Sequence, residues 1–131
     1  MTVNRSIDIE AAVRAVLSEH FTAYCPPLPA KYELPNLLIT ATGGDTASAS
    51  SGKGKVDTFM VVLDARADTE KSAMDYIRNA VAVLETAGSS AGISHVAVNS
   101  LYSWGADAVR PDLAMCSATL MVTAHRETVT L

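Results

Sequence analysis

The twelve-residue segment VDTFMVVLDARA, residues 56–67, constrains the fold of this chain more than any other. Its odd-numbered positions from 59 to 65 are all apolar, whereas the even-numbered positions carry the mixed set Thr58, Met60, Val62, Asp64 and Arg66. A period of two is typical of a β-strand with one buried face. A strand of this kind needs neighbouring strands and a covering layer, so the rest of the chain must supply both.

Two segments have helical periodicity and can provide the covering layer. In SIDIEAAVRAVLSEHF, residues 6–21, apolar residues recur at i, i+4, i+7 and i+8 from Ile9, and Ser6 is the predicted N-cap. In DTEKSAMDYIRNAVAVLETAG, residues 68–88, the predicted cap is Asp68 or Thr69 and the helix is expected to stop at Gly88. Both helices are amphipathic, so each needs one covered face.

Three more segments are predicted strands: LLITAT (37–42), ISHVAVNSLYSW (93–104) and LAMCSATLMVTAHRETV (113–129). The first of them is expected to end at a Gly43–Gly44 turn. The element order is therefore α-β-β-α-β-β. The economical architecture is an α+β two-layer sandwich, with a four-stranded, mainly antiparallel or mixed sheet and both helices on one face.

The second face of the predicted sheet is too apolar to be left fully in water. Its side chains include Met60, Val62, Met115, Thr119 and Met121. Large apolar surfaces on soluble proteins mark contacts with other proteins, so we expect a homo-oligomer in which a partner subunit covers this face.

Length, charge and cysteine spacing narrow the possible functions. The 131 residues fit a single domain over 1–131, and 14 acidic against 10 basic residues give a net charge of −4. An acidic chain whose densest basic cluster is Lys53–Gly54–Lys55 does not favour nucleic-acid binding as the main activity. No apolar run is long enough to span a membrane, so we expect a soluble protein with no membrane partner. Cys25 and Cys116 lie in no metal-binding or disulfide pattern, and no cofactor is predicted.

The segment GGDTASASSGKGK, residues 43–55, is predicted to be a flexible loop between two strands. Its Gly52–Lys53 pair is similar to part of a phosphate-binding loop. That motif requires four residues between its glycines, a hydroxyl after the lysine and a following helix. Here seven residues separate Gly44 from Gly52, Gly54 follows the lysine, and a strand comes next. Nucleotide binding is therefore not expected.

The sharpest enzymatic hypothesis is a serine hydrolase. GSSAG, residues 88–92, fits G-x-S-x-G around Ser90, and Asp112 and His125 follow in the order that the α/β-hydrolases use. The chemistry needs the serine on a strand-to-helix turn, however, whereas this segment follows a helix and precedes a strand. A loop of small residues after the end of a helix accounts for the sequence GSSAG equally well. No catalytic residue is therefore assigned, and the three histidines have no metal-ligand spacing.

Several polar and aromatic residues have two possible interpretations. Asp57, Asp64 and Asp68 are either paired carboxylates or charges at a sheet edge or on a solvent face, and the second interpretation is favoured. Trp104, with Tyr102, forms either an aromatic contact site or the closure of the end of the sheet, and both remain open. Arg110 and Asp112 flank Pro111, where a solvated turn is favoured over a contact between subunits.

In element order, nearly the whole chain resembles the tail terminator proteins, also called tail completion or neck proteins, of long-tailed bacteriophages. The likeness is greatest to the short proteins of actinobacterial phages. It is carried by the first helix, LPNLLITATGGD, the segment VDTFMVVLDARADTEKSAMDYIRNAVAVLE, LYSWGADAVRPDLA and the closing ATLMVTAHR. The family fold is a small mixed sheet with two helices on one face, which agrees with the order obtained from periodicity.

The resemblance implies a structural role in a virion. Such proteins form a hexameric ring that caps the tail tube, ends its polymerisation and docks to the connector of the head, with a channel through which genomic DNA passes without specific binding. The resemblance and the aromatic site together give these candidate interface and loop residues: Gly43, Gly44, Asp45, Lys53, Lys55, Trp104, Arg110 and Asp112. The alternatives are a head-closure or other neck connector protein, the Ser90 hydrolase, and an α+β binding module.

Overall fold

The computed structural model describes residues 1–47, 56–106 and 110–131. Two helices are present, α1 (Ile9–Leu17) and α2 (Glu70–Ala87), and a short 3-10 helix (Gly88–Ala91) follows α2 directly. The strands are β1 (Thr2–Arg5), β2 (Ala23–Tyr24), β3 (Asn36–Ala47), β4 (Val56–Ala67), β5 (Ile93–Ala106), β6 (Ala114–His125) and β7 (Glu127–Thr130).

Five of the strands form one mixed sheet in the order β2-β3-β4-β6-β5. β2 pairs with β3 in parallel over two residues, and every other neighbouring pair is antiparallel. β4 and β6 pair along their full lengths, from Val56 opposite His125 to Ala67 opposite Ala114. The two most regular strands therefore occupy the middle of the sheet, as the alternation in residues 56–67 requires.

Both helices pack on the same face of this sheet. The apolar stripes of α1 and α2 join the inward side chains of β3, β4 and β6 in one continuous cluster, whose fully buried members include Val13, Leu17, Leu37, Ile39, Val61, Leu63, Ile77, Leu84, Leu120 and Val122. α2 lies over β4 and β6, while α1 packs against α2 and β3. The predicted α+β class and the placement of both helices on one face are confirmed.

The remaining two strands, β1 and β7, form a separate antiparallel ribbon in which Thr2 lies opposite Thr130 and Arg5 opposite Glu127. The predicted single strand over residues 113–129 is wrong, because β6 ends at His125 and β7 pairs with β1 instead. Sequence patterns did not predict β1 or the two-residue β2, because such short segments hold too few residues for a period to be visible. The main sheet consequently has five strands rather than the predicted four.

The predicted turn at Gly43–Gly44 is wrong, because β3 continues through both glycines to Ala47. A β-bulge shifts the register between Ala41 and Gly43 and leaves Thr42 as the extra residue. Gly43 has φ +147°, and a Cβ on Gly44 would lie 2.1 Å from the carbonyl oxygen of Thr58. Glycine is thus required at both positions by a bulged strand and not by a turn.

The helix ends agree with the sequence in part. The Thr69 side chain caps α2 by accepting a hydrogen bond from the Ser72 amide, and α2 ends at Gly88 as predicted. The cap of α1 is Asp8, which accepts from the Ala11 amide, and not the predicted Ser6. Ser6 lies two residues before that cap and donates its hydroxyl elsewhere, to Asp57.

Candidate assembly surfaces

The open face of the main sheet, meaning the face opposite the helices, is one candidate surface. Its central apolar side chains are half-buried among their neighbours on the strands: Leu38, Met60, Val62, Met115 and Met121. The strand register places Met60 beside Met121 and Val62 beside Thr119. These side chains form an apolar patch that neither helix covers.

Hydrogen-bonded polar pairs interrupt this apolar patch. Ser117 donates its hydroxyl to the Asp64 carboxylate across β4 and β6, and the hydroxyls of Thr58 and Thr123 lie 3.0 Å apart. Asp64 does lie on the solvent face, as predicted, but on a central strand. The open face therefore combines apolar area with polar groups that already have partners, which is the usual make-up of a protein interface.

Asp57 is the most buried carboxylate among the described residues, with 4% of its surface exposed. It accepts hydrogen bonds from the Ser6 hydroxyl at 2.6 Å and from the Arg126 guanidinium, whose Nε lies 3.1 Å away. The three residues come from the entry to α1, the start of β4 and the junction of β6 with β7. We call this group the Asp57 clasp.

The structure corrects the interpretation of Asp57 as an edge or solvent-face charge. β4 lies in the centre of the sheet. Asp57 is on the same face of this strand as Val61 and Leu63, which point into the core. Two signals in the sequence could have indicated this: its odd position in the alternating segment, and an arginine at Arg126, just past the strand that pairs with β4. The register between β4 and β6, which could not be predicted from the sequence, brings Asp57 and Arg126 together.

A cleft of about 440 Å³ lies between the start of α1 and the β3–β4 pair. Its lining includes Asp8, Glu10, Asp57, Gly44 and Phe59. Each of these carboxylates has a structural partner: Asp8 caps α1, Glu10 accepts from the Ala41 amide at 2.8 Å, and Asp57 belongs to the clasp. Glu10 thereby protects a main-chain donor on the exposed side of β3, where the short β2 no longer pairs.

Among the described strands, β5 forms the other edge of the main sheet, and its one partner there is β6. Three irregularities in its register twist it along its length, a common property of edge strands. Trp104 near its end is 48% exposed, whereas Tyr102 packs against the core. Of the two interpretations left open for these aromatics, Tyr102 fits closure of the sheet and Trp104 fits a contact site.

The other predicted interface residues are scattered. Arg110 and Asp112 pair with each other at 2.9 Å on an exposed turn. Asp45 lies opposite Thr58 in the β3–β4 register, beyond the bulge at Gly43 and Gly44. Lys53, Lys55 and most of the predicted loop 43–55 lie outside the described residues. The structure thus gathers Gly43, Gly44 and Asp45 at one end of the sheet and does not bring Trp104 to them.

The residues of the hydrolase hypothesis are too far apart to form a triad. Asp112 precedes β6 and His125 ends it, and a strand of 12 residues spans about 40 Å. Ser90 sits in the 3-10 helix and donates its hydroxyl to the Ala87 carbonyl at 2.8 Å. Its hydroxyl therefore satisfies a carbonyl at a helix end, which is an ordinary structural role.

Neither cysteine is poised for nucleophilic chemistry. Burial raises the pKa of the Cys116 thiol, and burial together with the nearby Glu10 carboxylate raises that of Cys25. Both thiols stay protonated at neutral pH, and a protonated thiol is a poor nucleophile. Over residues 1–47, 56–106 and 110–131, no three His, Cys, Asp or Glu residues form a group that could hold a metal ion, and no helix is long and apolar enough to cross a membrane.

Comparison with known proteins finds a likeness only at the level of structure. No protein-family model and no curated protein sequence matches this chain. Solved structures with a similar chain include one described as "Virion of native gene transfer agent (GTA) particle", with 14% sequence identity and a TM-score of 0.47. The match covers 94% of this chain and 87% of that chain.

Proposed function

We propose that this chain is a structural protein of a virion: a tail terminator that forms a ring at the head–tail junction, caps the tail tube and docks to the connector of the head. The observation that carries the proposal is the open face of the main sheet. Leu38, Met60, Val62 and Met121 lie there without cover from either helix. An apolar patch among polar groups that already have partners is typical of a protein-binding surface.

Three further observations support a structural role. The resemblance of the sequence to tail terminators extends over nearly the whole chain and agrees with the order of the main elements. In addition, the sharpest enzymatic alternative needs Asp112 beside His125, and the length of β6 holds these two residues apart. The acidic net charge of −4 also suits a ring whose channel DNA must pass without being retained.

The proposal assigns different roles to the sheet edges and the sheet face. Contacts between edges join neighbouring copies into the ring, since strand edges carry main-chain groups that can pair with another chain. Because the edges then join the copies, the open face, for which the sequence alone suggested a partner subunit, is covered in this proposal by the tail tube or the connector. Lys53 and Lys55 remain proposed contacts for acidic groups or DNA.

The test is deletion of the gene in the virus that encodes the chain, followed by electron microscopy of the particles. We expect tails of irregular length that are not joined to filled heads, because nothing ends polymerisation of the tube. Complementation with the unaltered gene is the control. Uniform tails of normal length joined to filled heads would refute the proposal.

A further inference from the structure

One face of the β1–β7 ribbon is polar, and the other is apolar except where the ribbon joins β6. Side chains at alternate positions of a strand share a face, so Met1, Val3, Val129 and Leu131 lie on one side together with the ion pair of Arg5 and Glu127, and Thr2, Asn4, Thr128 and Thr130 lie on the other. Met1 is 84% exposed and Leu131 is 75% exposed, while Val3 and Val129 are half-buried against each other. The apolar side of the ribbon is therefore open to a partner.

The outer edges of the ribbon also carry main-chain groups that can pair with another strand. The Leu131 amide donates to the Met1 carbonyl at 2.8 Å, so the pairs Met1–Leu131 and Val3–Val129 use their main-chain groups inside the ribbon. Antiparallel pairs alternate, so the main-chain groups of Thr128 and Thr130 point outward. Among the described helices and strands, the ribbon's extensive contacts are those between its own two strands. A two-stranded ribbon is marginally stable by itself, so docking would stabilise it.

The outer edge of β5 has complementary properties. Its main-chain groups on that side face away from β6, its partner in the sheet. Among the described residues, the exposed large apolar side chains are Met1 and Leu131 on the ribbon and Val98 and Trp104 on β5. Two strand edges that each carry exposed apolar side chains can pair by adding one strand to the other's sheet.

Within one chain, the ribbon and the far end of β5 are held apart. Arg126 leads from the end of β6 into the ribbon, and the Asp57 clasp fixes this junction to the sheet. Trp104 lies opposite Cys116, eight residues or about 26 Å along β6 from Ala124. A four-residue strand extends only about 13 Å. The ribbon can therefore reach Trp104 only on a second copy of the chain.

The geometry points to a head-to-tail contact in which the ribbon of one copy lies along the β5 edge of the next. Outward main-chain groups of the ribbon extend the neighbour's sheet, and Val129 and Leu131 pack against Val98 and Trp104. Since the two surfaces differ, each copy keeps one ribbon and one edge for further neighbours, and such a contact closes into a ring when its rotation permits. The inference deepens the proposed function and rests on it for the closure of the ring.

Disulfide crosslinking between two differently tagged proteins tests the contact. Cys25 is changed to Ser in both, and Cys116 is retained because it is fully buried. One protein carries Val129→Cys and the other carries Val98→Cys or Trp104→Cys. We expect at least one of these mixtures to crosslink about tenfold faster than the control, because docking raises the effective concentration of the two thiols.

The control mixture pairs Val129→Cys with Glu85→Cys, which lies on the exposed side of α2. Rates at both Val98 and Trp104 that equal the control rate would overturn the inference. Faster joining of Val129→Cys to itself than to either β5 position would also overturn it, since that result means ribbon-to-ribbon contact. Crosslinking at β5 together with normal tails after gene deletion would leave the inference standing and refute only the proposed function.

Discussion

Asp57 shows how a single residue can connect separate parts of this fold. Its carboxylate connects the segment before α1, the central strand β4 and the junction of β6 with the ribbon. Arg126 is also largely buried, with 19% of its side chain exposed. An ion pair shielded from water in this way loses much more free energy when one partner is removed than a surface pair does.

We therefore predict that Asp57→Ala lowers the free energy of unfolding by about 3–5 kcal/mol, because it leaves the Arg126 charge buried opposite an apolar side chain. Urea denaturation measures the loss. The matched control is Asp75→Ala, which breaks an exposed pair with Lys71 and should cost about 0.5 kcal/mol. Equal losses in the two variants would contradict the structural importance of the clasp.

Gly44 gives a second test at the scale of one residue. A Cβ at this position would meet the Thr58 carbonyl oxygen at 2.1 Å and the Phe59 Cα at 2.9 Å, and both are main-chain atoms that cannot move aside easily. Gly44→Ala should destabilise the protein by about 1–3 kcal/mol or more.

The control for Gly44 is Gly105→Ala, whose Cβ would meet only the end of the flexible Met115 side chain at 3.0 Å. Thermal or urea unfolding of both variants provides the comparison. The predicted order is a larger loss for Gly44→Ala. The reverse order would mean that β3 does not pair closely with β4 beyond the bulge.

At the scale of elements, the start of α2 depends on one hydroxyl. Thr69 accepts a hydrogen bond from the Ser72 amide at 3.2 Å, which satisfies one of the amides left without a partner at a helix start. Thr69→Ala should cost about 1 kcal/mol of stability, measured by denaturation. Thr69→Ser keeps the hydroxyl and should restore most of the loss, whereas equal losses would show that the cap contributes little.

The sequence predicted long elements better than short ones. Residues 56–67 and 70–87 contain several periods of their patterns, so their class and their buried faces could be predicted. β1, β2 and β7 have four residues or fewer, and pairing partners far away in the chain determine them. The prediction of a turn at Gly43 and Gly44 failed for a different reason, since a turn and a β-bulge both use the conformational freedom of glycine.

The candidate surfaces were predictable to a similar extent. The open face followed from alternation, because Met60, Val62 and Met121 had to point away from the helices. The exposure of Trp104 and the burial of Asp57 did not follow, since both depend on strand order and register. Those two properties come from contacts between distant segments and leave no local pattern.

At the scale of the whole molecule, the open face should matter for assembly and little for folding. Met121→Gln should change the free energy of unfolding by about 1 kcal/mol or less, because the side chain is only half-buried. It should nevertheless reduce incorporation into particles, which immunoblotting of purified virions measures, because an uncompensated amide would replace apolar contact area.

The neighbouring residue Leu120 is the matched control for this prediction. It is fully buried on the helix side of the same strand, so Leu120→Gln should destabilise the isolated protein by about 3 kcal/mol or more. Normal incorporation of a stable Met121→Gln protein would show that the open face is not an assembly surface.

The pairing of Thr2 with Thr130 has a consequence for the order of folding. These residues lie almost a whole chain length apart, and closing so long a loop is entropically costly until the intervening core has formed. Contacts that are distant in sequence form slowly, so the ribbon should join after the sheet and helices are in place. In the proposed contact, a chain that has not finished folding would therefore have no ribbon to place on the β5 edge of its neighbour.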